Sequence, residues 1–124
     1  MSYIYFNPNP CKRSVGDCAV RAISKALDIS WEKAYALITV NAFRMCDMPS
    51  SNAVWGAILR MNGFHKELIS NYCPDCYTIE DFCNDHPEGI YVVGTSNHVV
   101  TIIDGNAYDS WNSLSEIPQF YWTI

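Results

Sequence analysis

Apolar residues in this chain first recur every three or four positions and later every two, and the change of period divides it. Ala19, Ala22, Ile23 and Ala26 make a small apolar stripe at helical spacing, which predicts a helix from about Asp17 to Leu27. Ser30 then has the character of an N-cap, and Trp31, Ala34, Tyr35 and Ile38 carry a second helix towards Met45. After Met48-Pro49-Ser50-Ser51, Asn52 is placed to cap a third helix. That helix presents Val54, Trp55, Ile58 and Leu59 and stops at Asn62-Gly63. Phe64 to Ile69 predicts a short strand. Thr78-Ile79-Glu80-Asp81 is a capping box with Asp in the Glu position, opening a short helix that ends before His86-Pro87-Glu88-Gly89.

Beyond Gly89 the pattern turns to β. Ile90–Gly94, His98–Ile103, Ala107–Trp111 and Phe120–Ile124 are rich in β-branched and aromatic residues, and Asp104-Gly105-Asn106 is a hairpin signal between two of them. Residues 1–15, with Asn7-Pro8-Asn9-Pro10 in the middle, read as a loop-like arm packed on the domain through Tyr3, Tyr5 and Phe6. Helices first and an antiparallel sheet afterwards predict an α+β fold, and 124 residues without a linker or repeat suit one domain over residues 1–124.

Composition narrows the function classes. Apolar residues at 49% can build a core without a metal or disulfides, and the net charge of −5 argues against a nucleic-acid surface, which needs clustered Lys and Arg. The opening MSYIYFNPNPCKRS has neither the basic start nor the apolar run of a signal peptide. No stretch approaches 18 consecutive apolar residues, so no membrane association is expected. The six cysteines (11, 18, 46, 73, 76 and 83) then read as thiols in a reducing cytoplasm.

The candidate chemistry starts at GDCAVRAIS. Cys18 falls at a helix N-terminus, where unpaired N–H groups and the macrodipole favour a thiolate; a small buried cysteine is the inert alternative. His98 heads the strand HVVTII and, by alternation, points to the face of Val100 and Ile102. A two-residue loop at Asp104-Gly105 sets Asp109 opposite Val100, and one at Gly105-Asn106 sets it opposite Ile102. Both put Asp109 on the face of His98, whereas a three-residue loop would bring Asn112 opposite instead. Histidine with a carboxylate on its far nitrogen, facing a helix-head cysteine, is the arrangement of nucleophilic thiol chemistry.

At these residues the chain resembles the papain-like cysteine peptidases. Cys18 heads AVRAISKAL, His98 heads VVTII, and Asp109-Ser110-Trp111 is similar to the family's Asn-Ser-Trp with Asp substituted. The wider pattern, from GDCAVRAIS to IEDFCNDHPEGIYVVGTSNHVVTIIDGNAYDSW, resembles small uncharacterised members from bacteria and their phages over roughly residues 14–122. The resemblance implies a central helix headed by the nucleophile, packed on the sheet, with Cys18, His98 and Asp109 as catalytic residues and no required cofactor. It implies hydrolysis of a peptide, isopeptide or related amide in a peptide or protein substrate, through a thioester.

The chain departs from that pattern before the cysteine. The glutamine that donates to the oxyanion in the family has no counterpart in CKRSV, which leaves the Cys18 N–H with Asn9, Lys12, Arg13 or Ser14 as second donor. The gap keeps a second reading open, a weakly active or inactive binding module for a protein partner. Trp111 is placed to cover the His98–Asp109 contact or simply to pack in the core. Cys73, Cys76, Cys83 and His86, spaced C-x2-C-x6-C-x2-H, could hold a structural zinc, carry a redox-active C-x2-C at Cys73 and Cys76, or be plain loop thiols.

Overall fold

In a computed structural model the chain is described over residues 2–70 and 76–124. The elements run β1 (Tyr3–Tyr5), α1 (Cys18–Leu27), α2 (Trp31–Met45), α3 (Asn52–Met61), β2 (His65–Leu68), α4 (Ile79–Asp85), β3 (Ile90–Gly94), β4 (Val99–Ile103), β5 (Asn106–Asp109) and β6 (Phe120–Thr123). The fold is α+β, built from these helices and one mixed sheet ordered β1-β5-β4-β3-β6-β2.

Local chemistry sets most of the boundaries. Ser30 accepts from the Lys33 N–H at 3.1 Å and starts α2. The box at the head of α4 is complete: the Thr78 hydroxyl accepts from the Asp81 N–H, and the Asp81 carboxylate accepts from the Thr78 N–H. α3 begins one residue earlier than expected, with Ser51 as its N-cap and Asn52 inside the helix. Asp104 and Gly105 have φ of 50° and 78°, and Ile103 pairs with Asn106. Two consecutive positive φ values make the two-residue turn whose twist matches the strands it joins.

The N-terminal arm departs from expectation. Tyr3–Tyr5 is an edge strand that pairs in parallel with β5, Tyr3 beside Ala107 and Tyr5 beside Asp109. The sheet is therefore mixed, and the antiparallel arrangement expected of it holds only for the other strands. Three residues are too few to show alternation, and the strand exists through its tertiary ladder. The Ala107 N–H donates to the Ser2 carbonyl at 2.9 Å, and the Phe6 N–H to the Asp109 carbonyl at 2.7 Å.

The sheet is covered on both faces. Val92, Val99, Phe120 and Trp122 pack with α1, α2 and α3, while Val93, Val100, Ile102 and Ala107 pack with Ile79, Phe82 and Cys83 of α4. Alternation along β3 and β4 divides these sets. Thr101, fully buried, donates its hydroxyl to the Ala22 carbonyl at 2.7 Å and fixes α1 against β4. Among the described residues no helix is long and apolar enough to cross a membrane. Cys11, Cys18, Cys46 and Cys83 are free thiols, but Cys76 is disulfide-bonded, which corrects the expectation of thiols throughout.

Candidate active site

Cys18 is the first residue of α1, and Asp17 is its N-cap. An aspartate in that position ordinarily turns its carboxylate back onto the helix's first N–H groups. Here it makes no such bond. Its Oδ1 accepts from Arg21 Nη1 at 2.6 Å and its Oδ2 from the Trp31 indole N–H at 2.9 Å. The helix head beside Cys18 thus lacks a side-chain cap, and its amides and macrodipole favour negative charge there.

His98 and Asp109 arrive from the sheet. The hairpin takes the Asp104-Gly105 register, with Thr101 beside Tyr108, so Asp109 follows at the end of β5 near the head of β4. His98 lies just ahead of β4, outside the regular strand, so the alternation rule does not bind it. Val100 and Ile102 pack towards α4, while His98 opens onto the cavity it shares with α1 and α2, which corrects the expectation of a common face. His98 Nε2–H donates to Asp109 Oδ2 at 2.7 Å.

Asp109 is fully buried, and four donors meet its two oxygens. Ser113 Oγ joins His98 on Oδ2 at 2.7 Å; Arg21 Nη2 at 3.0 Å and the Ser110 N–H at 2.8 Å meet Oδ1. The Trp111 ring lies 4.6 Å from the His98 ring and shields one side of it. It still keeps 43% of its own surface exposed, so it covers the pair from outside rather than filling the core.

Electrostatics follow from these contacts. Burial alone would raise the Cys18 pKa, but the hydrogen bond and charge of His98 outweigh it, with help from the Val99 N–H and Arg21, and the thiol is lowered. Burial works against charge on His98 too. The Asp109 hydrogen bond and the Cys18 interaction overcome it and push the ring up to about 9. Asp109 is held low despite its burial by His98, Ser113 and Arg21. With the thiol lowered and the imidazole raised, each charged form supports the other, and the pair is biased towards thiolate and imidazolium.

Cys18 and His98 line a cavity of about 670 Å³ whose walls include Trp31, Tyr35 and Trp55. Trp31 stacks on Tyr35 at 5.0 Å. Of the candidate oxyanion donors, Asn9 and Arg13 line this cavity and Lys12 and Ser14 do not. Lys12 is exposed and turns its Nζ to the Asn7 carbonyl at 3.3 Å. Asn9 is buried, and its Oδ1 accepts from the Cys11 N–H at 2.8 Å. That bond fixes the amide plane and leaves Nδ2 as the group without a hydrogen bond among the described residues.

The zinc candidates fare differently. Cys73 lies outside the described residues. Cys76 is disulfide-bonded, Cys83 of α4 is buried in the core against the sheet, and the His86 ring stacks on Phe82 at 3.9 Å. Among the described residues no group of three His, Cys, Asp or Glu could hold a metal ion. Sequence reasoning passed over Asp17, Arg21 and Ser113. The signal for the first two lay in GDCAVRAIS itself, since Asp17 and Arg21 stand four apart around Cys18, the spacing of an ion pair on one helix face. No protein family, curated protein or solved structure matches the chain.

Proposed function

We propose that this protein is a cysteine hydrolase of peptide, isopeptide or related amide bonds, with a papain-like arrangement of its site. One observation carries the reading: a helix-head thiol lines the same cavity as an imidazole that is hydrogen-bonded to a buried carboxylate, and that imidazole lowers the thiol pKa. Cys18 attacks the carbonyl carbon as thiolate. The negative oxygen that forms meets the Cys18 N–H and Asn9 Nδ2, which takes the place of the glutamine donor. The His98 imidazolium gives its proton to the departing amine, leaving a thioester on Cys18. Neutral His98 then takes a proton from water as it attacks the thioester, and collapse restores the thiol pair and releases the acid. Asp109 keeps the proton on Nε2 and supports the imidazolium throughout.

Alkylation by iodoacetamide across pH, read at each cysteine by mass spectrometry, tests this. Exposed Cys11 and Cys46 are internal references. Cys18 should label faster than both at about pH 6, where an ordinary thiol is almost wholly protonated, and His98→Ala should abolish the difference. Labelling of Cys18 no faster than the references would overturn the hydrolase and leave the cavity as a binding site.

A further inference from the structure

Arg21 is a buried cation between two buried acids. It is 4% exposed, Asp17 on one side is 7% exposed, and Asp109 on the other is fully buried. Nη1 meets Asp17 at 2.6 Å and Nη2 meets Asp109 at 3.0 Å, so its two prongs serve different elements. Asp17 is tied in turn to Trp31 of α2, a wall of the cavity. Buried ion pairs of this kind are weak contributors to stability, because the desolvation of each charge offsets the attraction. Their geometry is better spent on fixing where charges sit.

We infer that Arg21 is the positioning residue of the Cys18–His98–Asp109 set, clamping the acid in line with His98 and tying it to the helix end that bears the nucleophile. This rests on the hydrolase reading above. Arg21 touches neither the thiol nor a substrate; it acts through Asp109 and through its charge. The ionisable groups around it are Asp17 and Cys18 on its own helix, Asp109 on β5, His98 ahead of β4 and Tyr3 on β1. α2 contributes the neutral Trp31 N–H. Asp17, Arg21, Asp109 and protonated His98 sum to zero charge, so the Cys18 thiolate is the one uncompensated charge of the cluster. Removing Arg21 makes that thiolate harder to form, whereas removing the charge of Asp17 makes it easier.

The opposed signs make the test, because damage to packing would move both variants the same way. Cys18 alkylation by iodoacetamide is followed against pH in the full chain, with circular dichroism confirming the fold of each variant. Arg21→Met should move the low-pH limb of the profile upward, slowing labelling about tenfold at about pH 6 for a one-unit change in thiol pKa. Arg21→Lys should recover most of the loss, and Asp17→Asn should label faster than wild type. A folded Arg21→Met with an unshifted limb overturns the inference. So does Asp17→Asn labelling at or below the wild-type rate, which decides the matter if Arg21→Met does not fold. A wild-type protein without any low-pH limb is the separate failure, that of the nucleophile itself.

Discussion

The charge on His98 should be visible in the stability of the whole protein. Its ring has an ordinary pKa of 6.5 and is raised to about 9 in the fold, against its burial and chiefly through the Asp109 hydrogen bond. That difference is worth roughly 3 kcal/mol. A raised pKa stabilises fully below 6.5 and loses that contribution as pH climbs through about 9. Asp109, held low, behaves oppositely: its share is present above 3.8 and fades only as pH falls below it. Asp109→Asn removes the main support of the ring, so the stability gap between wild type and variant should be widest near pH 5.5. It should narrow by up to roughly 3 kcal/mol at about pH 9.5. Urea midpoints at those two pH values and one between, with a common m-value, measure it. A parallel pair in Cys18→Ala removes the titration of the thiol and should show the same narrowing, reduced because Cys18 also holds charge on the ring. A gap that stays flat across this range refutes the assignment of the proton to His98.

Three further outcomes test separate parts of the structure. Asn9→Ala should slow hydrolysis of an activated aryl ester by about 10²–10³ while leaving iodoacetamide labelling of Cys18 unchanged, since alkylation builds no oxyanion. Gly94→Ala would put a Cβ 2.1 Å from the Phe120 ring, which is buried, and should cost at least about 1–3 kcal/mol in urea unfolding. Thr101→Val deletes the hydroxyl that joins β4 to the Ala22 carbonyl and should cost about 1 kcal/mol by the same measurement.

Features encoded by neighbours in the chain were legible. The Thr78 box, the Ser30 cap and the hairpin at Asp104-Gly105-Asn106 each depend on two to four consecutive residues, whereas the choice of Asp104-Gly105 as the turn is decided only in the structure. That turn fixes the register that brings Asp109 to His98. Features created by distant packing were not legible. β1 is too short to show a period, and its parallel pairing depends on where β5 lies. Arg21 reads in sequence as one charged position on a helix, and only the arrival of Asp109 from 88 residues away makes it buried. Four residues before Cys18 could have supplied an oxyanion donor. Burial and the bond to the Cys11 N–H, neither visible in composition, distinguish Asn9.

One helix organises both the core and the site. Ala22, Ile23 and Ala26 of α1 pack into the core with α2, α3 and the sheet. Cys18, Arg21 and Lys25, at positions i, i+3 and i+7, form a second stripe along the same helix. Cys18 meets His98, Arg21 meets Asp109, and the Lys25 ammonium sits 4.1 Å over Tyr108 and 5.1 Å over Phe6. The stripe therefore reaches β5 and the arm beyond it. The arm in turn ends its ladder on the Asp109 carbonyl through Phe6, three residues before Asn9 turns into the cavity. Cys18, Asp109 and, through the arm, Asn9 are thus all connected to one helix. α1 contacts the arm through Lys25 and the acid through Arg21. A few tenths to one kcal/mol from each cation–ring contact is enough to bias a segment that is already paired with the sheet.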